Sequence, residues 1–145
     1  MNIKINQDDN QHEIDIVINC AREDETVQSI VSSLHNIHFK IPCTNDGEIH
    51  QLDISSILYI ESVDRKTFLY TVTEVYETDK RLYELEDYLK NLTFFRISKS
   101  TIFNLKQVRS LRPELGARLI ATMENGERII ISRQYSATIK NALGV

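Results

Sequence analysis

Short apolar runs at period two, separated by turn signals, are the feature that most constrains the fold of this chain. Asn125-Gly126 stands between two such runs, residues 118–123 and 128–131, and Asn-Gly in that position is the strongest short-range signal for a β-hairpin. Asp46-Gly47 gives a second turn signal after the alternating residues 39–43. The sequence therefore predicts a mainly β protein, α+β overall, built from many short strands.

Helical periodicity is confined to two places in the C-terminal two thirds of the chain. Leucines recur at helical spacing in residues 82–92, with Asp79 as the expected cap, and this predicts one internal helix. Ser132 is expected to cap a last helix that ends at Gly144. Between these helices, and before them, short strands are expected, including residues 54–60, 67–72 and 75–78.

The N-terminal segment has a different pattern from the rest. Isoleucines alternate in residues 1–20 around a turn-prone Asp-Asp-Asn-Gln, which favours one or two strands. From Asp24 the apolar spacing becomes helical, with Asp24 or Thr26 as N-cap and Asn36 near the exit. We therefore divide the chain into a strand-helix extension, residues 1–40, and a main domain, residues 41–145.

The stretch 93–108 predicts two short apolar elements that present a polar tip. The tip, Ser98-Lys99-Ser100-Thr101, offers one ammonium and three hydroxyls, which suit phosphate oxygens and base edges. A carboxylate, histidine or thiol would be typical of an enzyme at such a position. The tip is therefore interpreted as a binding element.

The charge is unevenly distributed along the chain. Residues 1–94 contain 8 Lys and Arg against 18 Asp and Glu, whereas residues 95–145 contain 9 against 3. The net charges of −10 and +6 are typical of an acidic half attached to a half that faces nucleic acid. A chance imbalance on a solvated surface is the alternative explanation.

Several functional classes receive no support from the sequence. Cys20 and Cys43 have neither a C-x-x-C spacing nor a disulfide framework, and no apolar run approaches the ~20 residues of a membrane span, which together favour a cytoplasmic protein. His35 and His38, with Cys43 and His50 further along, match no metal signature, so no metal or cofactor is expected. Catalytic motifs were not found, and the protein is expected not to be an enzyme.

Three blocks in order carry a resemblance to a known family. They are Ile57-Leu58-Tyr59-Ile60-Glu61-Ser62, then Phe94-Phe95-Arg96-x-x-Lys99-Ser100-x-x-x-Asn104, then Ile131-Ser132-Arg133. Together they resemble the LytTR family of bacterial DNA-binding transcription regulators, over roughly residues 45–143. The extension is too short for the receiver domain that often precedes this module, so a stand-alone form without control by phosphorylation is expected.

The resemblance implies an elongated, mostly β domain whose loops enter successive major grooves of double-stranded DNA. Lys99 and Arg133 are then the leading base readers, and an arginine in a helix's first turn has no stability rationale of its own. The full set of expected DNA-binding residues is Arg65, Lys66, Thr67, Ser98, Lys99, Ser100, Asn104, Arg133 and Gln134. Expected partners are promoter DNA with direct repeats, a second copy in a homodimer, and a membrane-protein regulator.

Ser98 departs from the family pattern at the tip. The family most often has a histidine where this chain has Ser98, so a different sequence preference is expected while the binding mode is kept.

The alternative interpretation of the chain is a non-enzymatic β module that docks on a membrane or signalling partner through its acidic half. Binding of random duplexes at low salt discriminates between the two.

Overall fold

The computed structural model describes residues 1–36 and 39–145, and in that part of the chain three α-helices and ten strands form. The helices are α1 (Glu25–Asn36), α2 (Leu82–Tyr88) and α3 (Arg133–Leu143). The strands are β1 (Lys40–Asn45), β2 (Glu48–Asp53), β3 (Tyr59–Val63), β4 (Lys66–Tyr70), β5 (Val75–Thr78), β6 (Phe94–Arg96), β7 (Thr101–Asn104), β8 (Val108–Glu114), β9 (Arg118–Met123) and β10 (Arg128–Ile131). None of the helices described is long and apolar enough to span a membrane.

The strands form two antiparallel sheets. The larger has the order β2-β1-β5-β4-β3-β7-β6, and the smaller has the order β10-β9-β8. Both expected hairpin turns are present, with Gly47 at φ 80° and Gly126 at φ 87°, where glycine meets no steric penalty. The predicted fold class, mainly β with one internal and one C-terminal helix, is confirmed.

The larger sheet is covered on both faces at its centre. Ile60 of β3 and Ile102 of β7 join one buried cluster with the leucines of α2. Their chain neighbours Tyr59 and Phe103 join a second cluster with residues of the smaller sheet and α3. Because successive side chains of a strand point to opposite faces, two adjacent apolar residues in each strand, Tyr59-Ile60 and Ile102-Phe103, serve both clusters. The strand expected at residues 54–60 begins only at Tyr59, because Ile54–Ser56 form a short 3-10 turn.

The N-terminal extension was predicted only in part. The helix is confirmed as α1, and Asp24 caps it, since its Oδ1 accepts a hydrogen bond from Val27 N at 3.0 Å. The strands expected in residues 1–20 are wrong: that part, described throughout, contains a turn at Asp9 and Asn10 but no strand. Its alternating isoleucines are exposed, and a strand needs a hydrogen-bonded neighbour that this segment does not meet here. His38, which was considered above as a metal ligand, lies outside the described residues.

The caps of the two later helices differ from expectation. Arg81, not Asp79, is the N-cap residue of α2, and its side chain makes no capping hydrogen bond. Ser132 does occupy the N-cap position of α3, again without a side-chain cap, and Gly144 ends the helix at φ 76° as predicted. Apolar burial stabilises α2 instead, because Leu82, Leu85, Leu89 and Leu92 are all buried.

A tyrosine connects the two sheets. Tyr59 of the larger sheet is buried, stacks on Tyr70 with ring centroids 4.3 Å apart, and donates a hydrogen bond of 2.7 Å to Oε2 of Glu127 in the β9–β10 turn. Burial raises the pKa of the Tyr59 phenol, and the hydrogen bond to Glu127 raises it further. The phenol therefore stabilises the fold in its neutral form.

Replacing Tyr59 by Phe should lower the free energy of unfolding by about 1–2 kcal/mol at pH 7, because a hydrogen bond to a carboxylate is lost. Urea unfolding measures the change, and Tyr83→Phe at an exposed position is the matched control.

An unfolded tyrosine ionises near pH 10, whereas the raised folded pKa keeps Tyr59 neutral there. Stability should therefore fall as pH rises above about 10, and the advantage of the native chain over Tyr59→Phe should shrink. An advantage that is constant up to pH 11 would contradict this role.

Candidate nucleic-acid interface

The predicted polar tip is the turn between β6 and β7. Ile97 N and Ser98 N both donate to the carbonyl of Thr101, at 2.9 Å and 3.4 Å, and close the turn. Ser100 N donates to Ser98 Oγ at 3.2 Å, so the first serine shapes the tip from inside. Lys99 and Ser100 are exposed and Ser98 is half-buried. The ammonium at the apex is therefore free to contact a ligand.

Backbone hydrogen bonds fix the tip to two other elements. Ser62 N, near the end of β3, donates to Ser100 O at 2.8 Å, and Ser132 N, just before α3, donates to Ile97 O at 2.9 Å. Both bonds join main-chain atoms, so they do not depend on long flexible side chains. The end of β3, the tip and the start of α3 therefore lie together at one end of the larger sheet.

An open cleft of about 640 Å³ lies between the tip and the start of α3, and we call it the contact cleft. Its walls are residues 98–100 and residues 132–135. It brings together Lys99 and Arg133, which are 34 positions apart in the sequence, and Gln134 beside them. Among these lining residues there are two cations and no carboxylate, so the cleft favours an anion.

The start of α3 adds to this preference for anions. The unpaired N–H groups of a helix's first turn carry a partial positive charge, and α3 has no acidic residue in that turn to neutralise it. Arg133 is exposed in the same turn. Guanidinium, ammonium, hydroxyl and amide groups are the donors that bind phosphate oxygens and the major-groove edge of guanine.

The turn between β3 and β4 lies beside the contact cleft. Val63 pairs with Lys66, which leaves Asp64 and Arg65 as a two-residue turn with φ of 50° and 68°. Positive φ at both positions is the hairpin geometry that matches strand twist, and it projects the Arg65 and Lys66 region beyond the sheet. Both side chains are exposed. The turn places a second pair of cations at the sheet end that carries the tip.

Two expected contact residues are instead buried. Thr67 is 3% exposed within β4, and Asn104 is 2% exposed at the far end of β7 from the tip. The Asn104 side chain donates to Ile57 O at 3.1 Å and accepts from Thr93 Oγ1 at 2.8 Å and Lys106 N at 3.2 Å. Its hydrogen-bonding capacity serves the fold, and we correct both residues from DNA contacts to structural residues.

Two functional candidates, Arg81 and Arg96, were missed from the sequence, where Arg96 appeared only as part of the family pattern. Arg81 Nη1 approaches Arg65 O at 3.5 Å, so its charge lies beside the β3–β4 turn. Arg96 contacts both α2 and the tip. Neither contact follows from spacing in the chain. The sequence signal that could have identified Arg81 was the pair of exposed cations, Lys80 and Arg81, just after the end of β5.

The chain is similar in sequence to a family of DNA-binding domains and to bacterial regulators. A sequence profile described as the LytTr DNA-binding domain matches residues 47–144. An "Uncharacterized HTH-type transcriptional regulator" of Staphylococcus aureus (strain NCTC 8325) is 26% identical over 147 residues, covering 100% of this chain and 98% of that protein. The "Transcriptional regulatory protein LytR" of S. aureus (strain bovine RF122) is 25% identical, covering 86% of this chain and 51% of the relative.

A solved structure supports the fold. The LytTr DNA-binding domain of a Bacillus cereus protein superimposes with a TM-score of 0.69 at 24% identity, covering 73% of this chain and 97% of that domain. At this identity the likeness shows a shared architecture. It agrees with the two antiparallel sheets and the terminal helix described above.

The burial of Asn104 generates a test. Asn104→Ala should lower the free energy of unfolding by about 1–3 kcal/mol, because the buried Ile57 carbonyl loses its donor. Ser100→Ala, at an exposed position, should change stability by less than about 0.5 kcal/mol. Chemical denaturation measures both. If Asn104→Ala unfolds like the native chain but loses DNA affinity, the structural assignment is wrong.

Proposed function

This chain belongs to the LytTr DNA-binding domain family, and we propose that it reads duplex DNA through the contact cleft and the neighbouring β3–β4 turn. The family supports DNA binding and transcription regulation. The observation that carries the finer proposal is the convergence of Lys99 and Arg133 on one cleft without a carboxylate among its walls. Loops and a helix start would then contact the major groove, in place of a recognition helix lying along it.

The contacts have different roles in this proposal. Lys99 and Arg133 read base edges, because both side chains are exposed where the apolar alternation stops. Ser98, Ser100 and Gln134 bind phosphates or complete the walls of the cleft. Arg65 and Lys66 reach the next groove from the β3–β4 turn. The protein acts in the cytoplasm on promoter sites arranged as direct repeats.

Replacing Lys99 or Arg133 by Ala should weaken binding to a specific site by about 1–3 kcal/mol and weaken binding to random duplex much less. The specific site is first obtained by selecting bound duplexes from a random pool. Titrations at fixed salt then give the ratio of the two affinities for each variant. Lys90→Ala, which removes the same charge from an exposed position outside the cleft, is the matched control.

Arg109→Ala and Arg118→Ala should instead weaken all duplexes alike and lower the salt slope by about one unit each.

An unchanged affinity ratio for Lys99→Ala would make Lys99 a phosphate contact. Unchanged affinity on both duplexes would return it to an ordinary solvated lysine.

The extension, residues 1–40, is proposed to act in self-association more than in DNA binding. Residues 1–38 contain 7 Asp and Glu against 2 Lys and Arg, a balance that repels phosphates. Their isoleucines are exposed: Ile3 by 82%, Ile5 by 81% and Ile14 by 87%. A hydrogen bond of 3.2 Å from Lys106 Nζ to Ser33 Oγ ties α1 to the main domain. A second copy is the proposed partner for this apolar surface, and a membrane-protein regulator is the alternative.

A chain that begins at Phe39 should sediment as a particle with fewer copies of the chain than the full-length protein at equal concentration, because the exposed apolar segment is gone. Its affinity for random duplex should rise slightly as the acidic residues are removed. Sedimentation velocity and duplex titrations measure the two effects. A truncated chain that keeps the same number of copies per particle and loses only DNA affinity would contradict the assignment.

A further inference from the structure

The guanidinium of Arg96 joins the tip to α2. Arg96 is the last residue of β6, and its Nη1 donates to the carbonyl of Lys99 at 2.6 Å. Its Nε and Nη2 both reach Oε2 of Glu86, each at 2.6 Å. The Arg96 side chain is only 19% exposed, while that of Glu86 is 49% exposed. All three nitrogens of the guanidinium are therefore used within the protein.

We infer that Arg96, held by Glu86, is a positioning residue that fixes the Lys99 backbone for base readout and does not itself contact DNA. This inference rests on the proposed function of the tip. It predicts that the Arg96–Glu86 pair determines sequence discrimination while adding little to general affinity. Without its pairing to Glu86, a cation two positions before the tip would be expected to contact a DNA phosphate.

The geometry of the tip explains why a positioning residue is needed. One of the two main-chain bonds that close the turn is long, at 3.4 Å between Ser98 N and Thr101 O, and therefore weak. Lys99 is exposed at the apex, and the peptide group that joins it to Ser100 donates its N–H to Ser98 Oγ at 3.2 Å. The Arg96 bond to Lys99 O restrains that peptide group, and ordering it before DNA arrives reduces the entropy lost on binding.

Glu86 supplies the other half of the restraint. It belongs to α2, whose Leu82, Leu85 and Leu89 are buried in the core, so the carboxylate is mounted on a fixed element. A planar guanidinium can bind a carboxylate and a carbonyl at once with its nitrogens in fixed directions, which an ammonium cannot do. The carboxylate also neutralises Arg96. The pair therefore contributes no net charge to the attraction of DNA.

The test is a charge-neutral double variant, Arg96→Gln with Glu86→Gln, in the full chain. Its affinity for random duplex should stay within about twofold of the native chain, and its salt slope should be unchanged. Its affinity for the selected site should fall about tenfold, a loss of about 1.4 kcal/mol. Asp87→Asn with Lys90→Gln removes an exposed ion pair next to the same helix and is the matched control, expected to change neither affinity.

Amide hydrogen exchange in the absence of DNA gives a second readout. The Ser98 and Ser100 amides should exchange faster in the double variant, while the Ile60 and Ile102 amides in the sheet interior keep the native rate. Arg96→Lys, which retains the charge and loses the fork, should reproduce both the faster exchange and the lost discrimination. A thermal melt of each variant verifies that it is folded.

The outcomes separate this inference from the proposed function. If the native chain prefers no sequence, the proposed function fails. If the native chain is selective and the double variant keeps its affinity ratio, only the positioning role fails. A salt slope that falls by about one unit in the double variant would show that Arg96 leaves Glu86 for a phosphate when DNA binds, and that too would overturn the inference.

Discussion

The two-sided burial of β3 and β7 is the constraint on which the rest of the structure depends. Ile60 and Ile102 face the leucines of α2, while Tyr59 and Phe103 face the smaller sheet and α3. A slip of one residue in either strand would exchange these faces and expose or misplace every one of the four side chains. The register is therefore strongly specified, and so are the turns at the ends of both strands.

Because the turns follow from that register, the candidate interface needs little structure of its own. The tip, the β3–β4 turn and the start of α3 meet through main-chain bonds from Ser62 and Ser132. Polar side chains at these ends are then available for contacts, since few of them are required to stabilise the fold. The exposed residues at these ends can therefore change without changing the scaffold.

The sequence predicted what local chemistry determines. Period-two alternation and the Asp-Gly and Asn-Gly turns located the hairpins. The apolar run 54–60 was expected to form a strand, but only its last two residues do, since β3 begins at Tyr59. The strand prediction for residues 1–20 was wrong because an alternating apolar pattern alone does not provide a neighbouring strand for hydrogen bonding. The predictions for Asn104 and Thr67 were wrong for a related reason. A polar residue close to a turn in the sequence can point into the core, and the strand register decides which residues do so. The partnership of Arg96 with Glu86 was invisible because it joins two elements at no characteristic spacing.

Charge distribution explains how an acidic protein could select a DNA site. The net charge of the whole chain is −4, so long-range attraction to a phosphate backbone is weak or repulsive away from the contact cleft. Arg96 is neutralised by Glu86, which leaves one cation fewer for non-specific binding than the composition suggests. Non-specific affinity depends on the number of phosphates neutralised, whereas discrimination depends on a few well-placed donors. A small set of restrained contacts on an acidic background therefore favours a high ratio of specific to random binding over high affinity for every duplex.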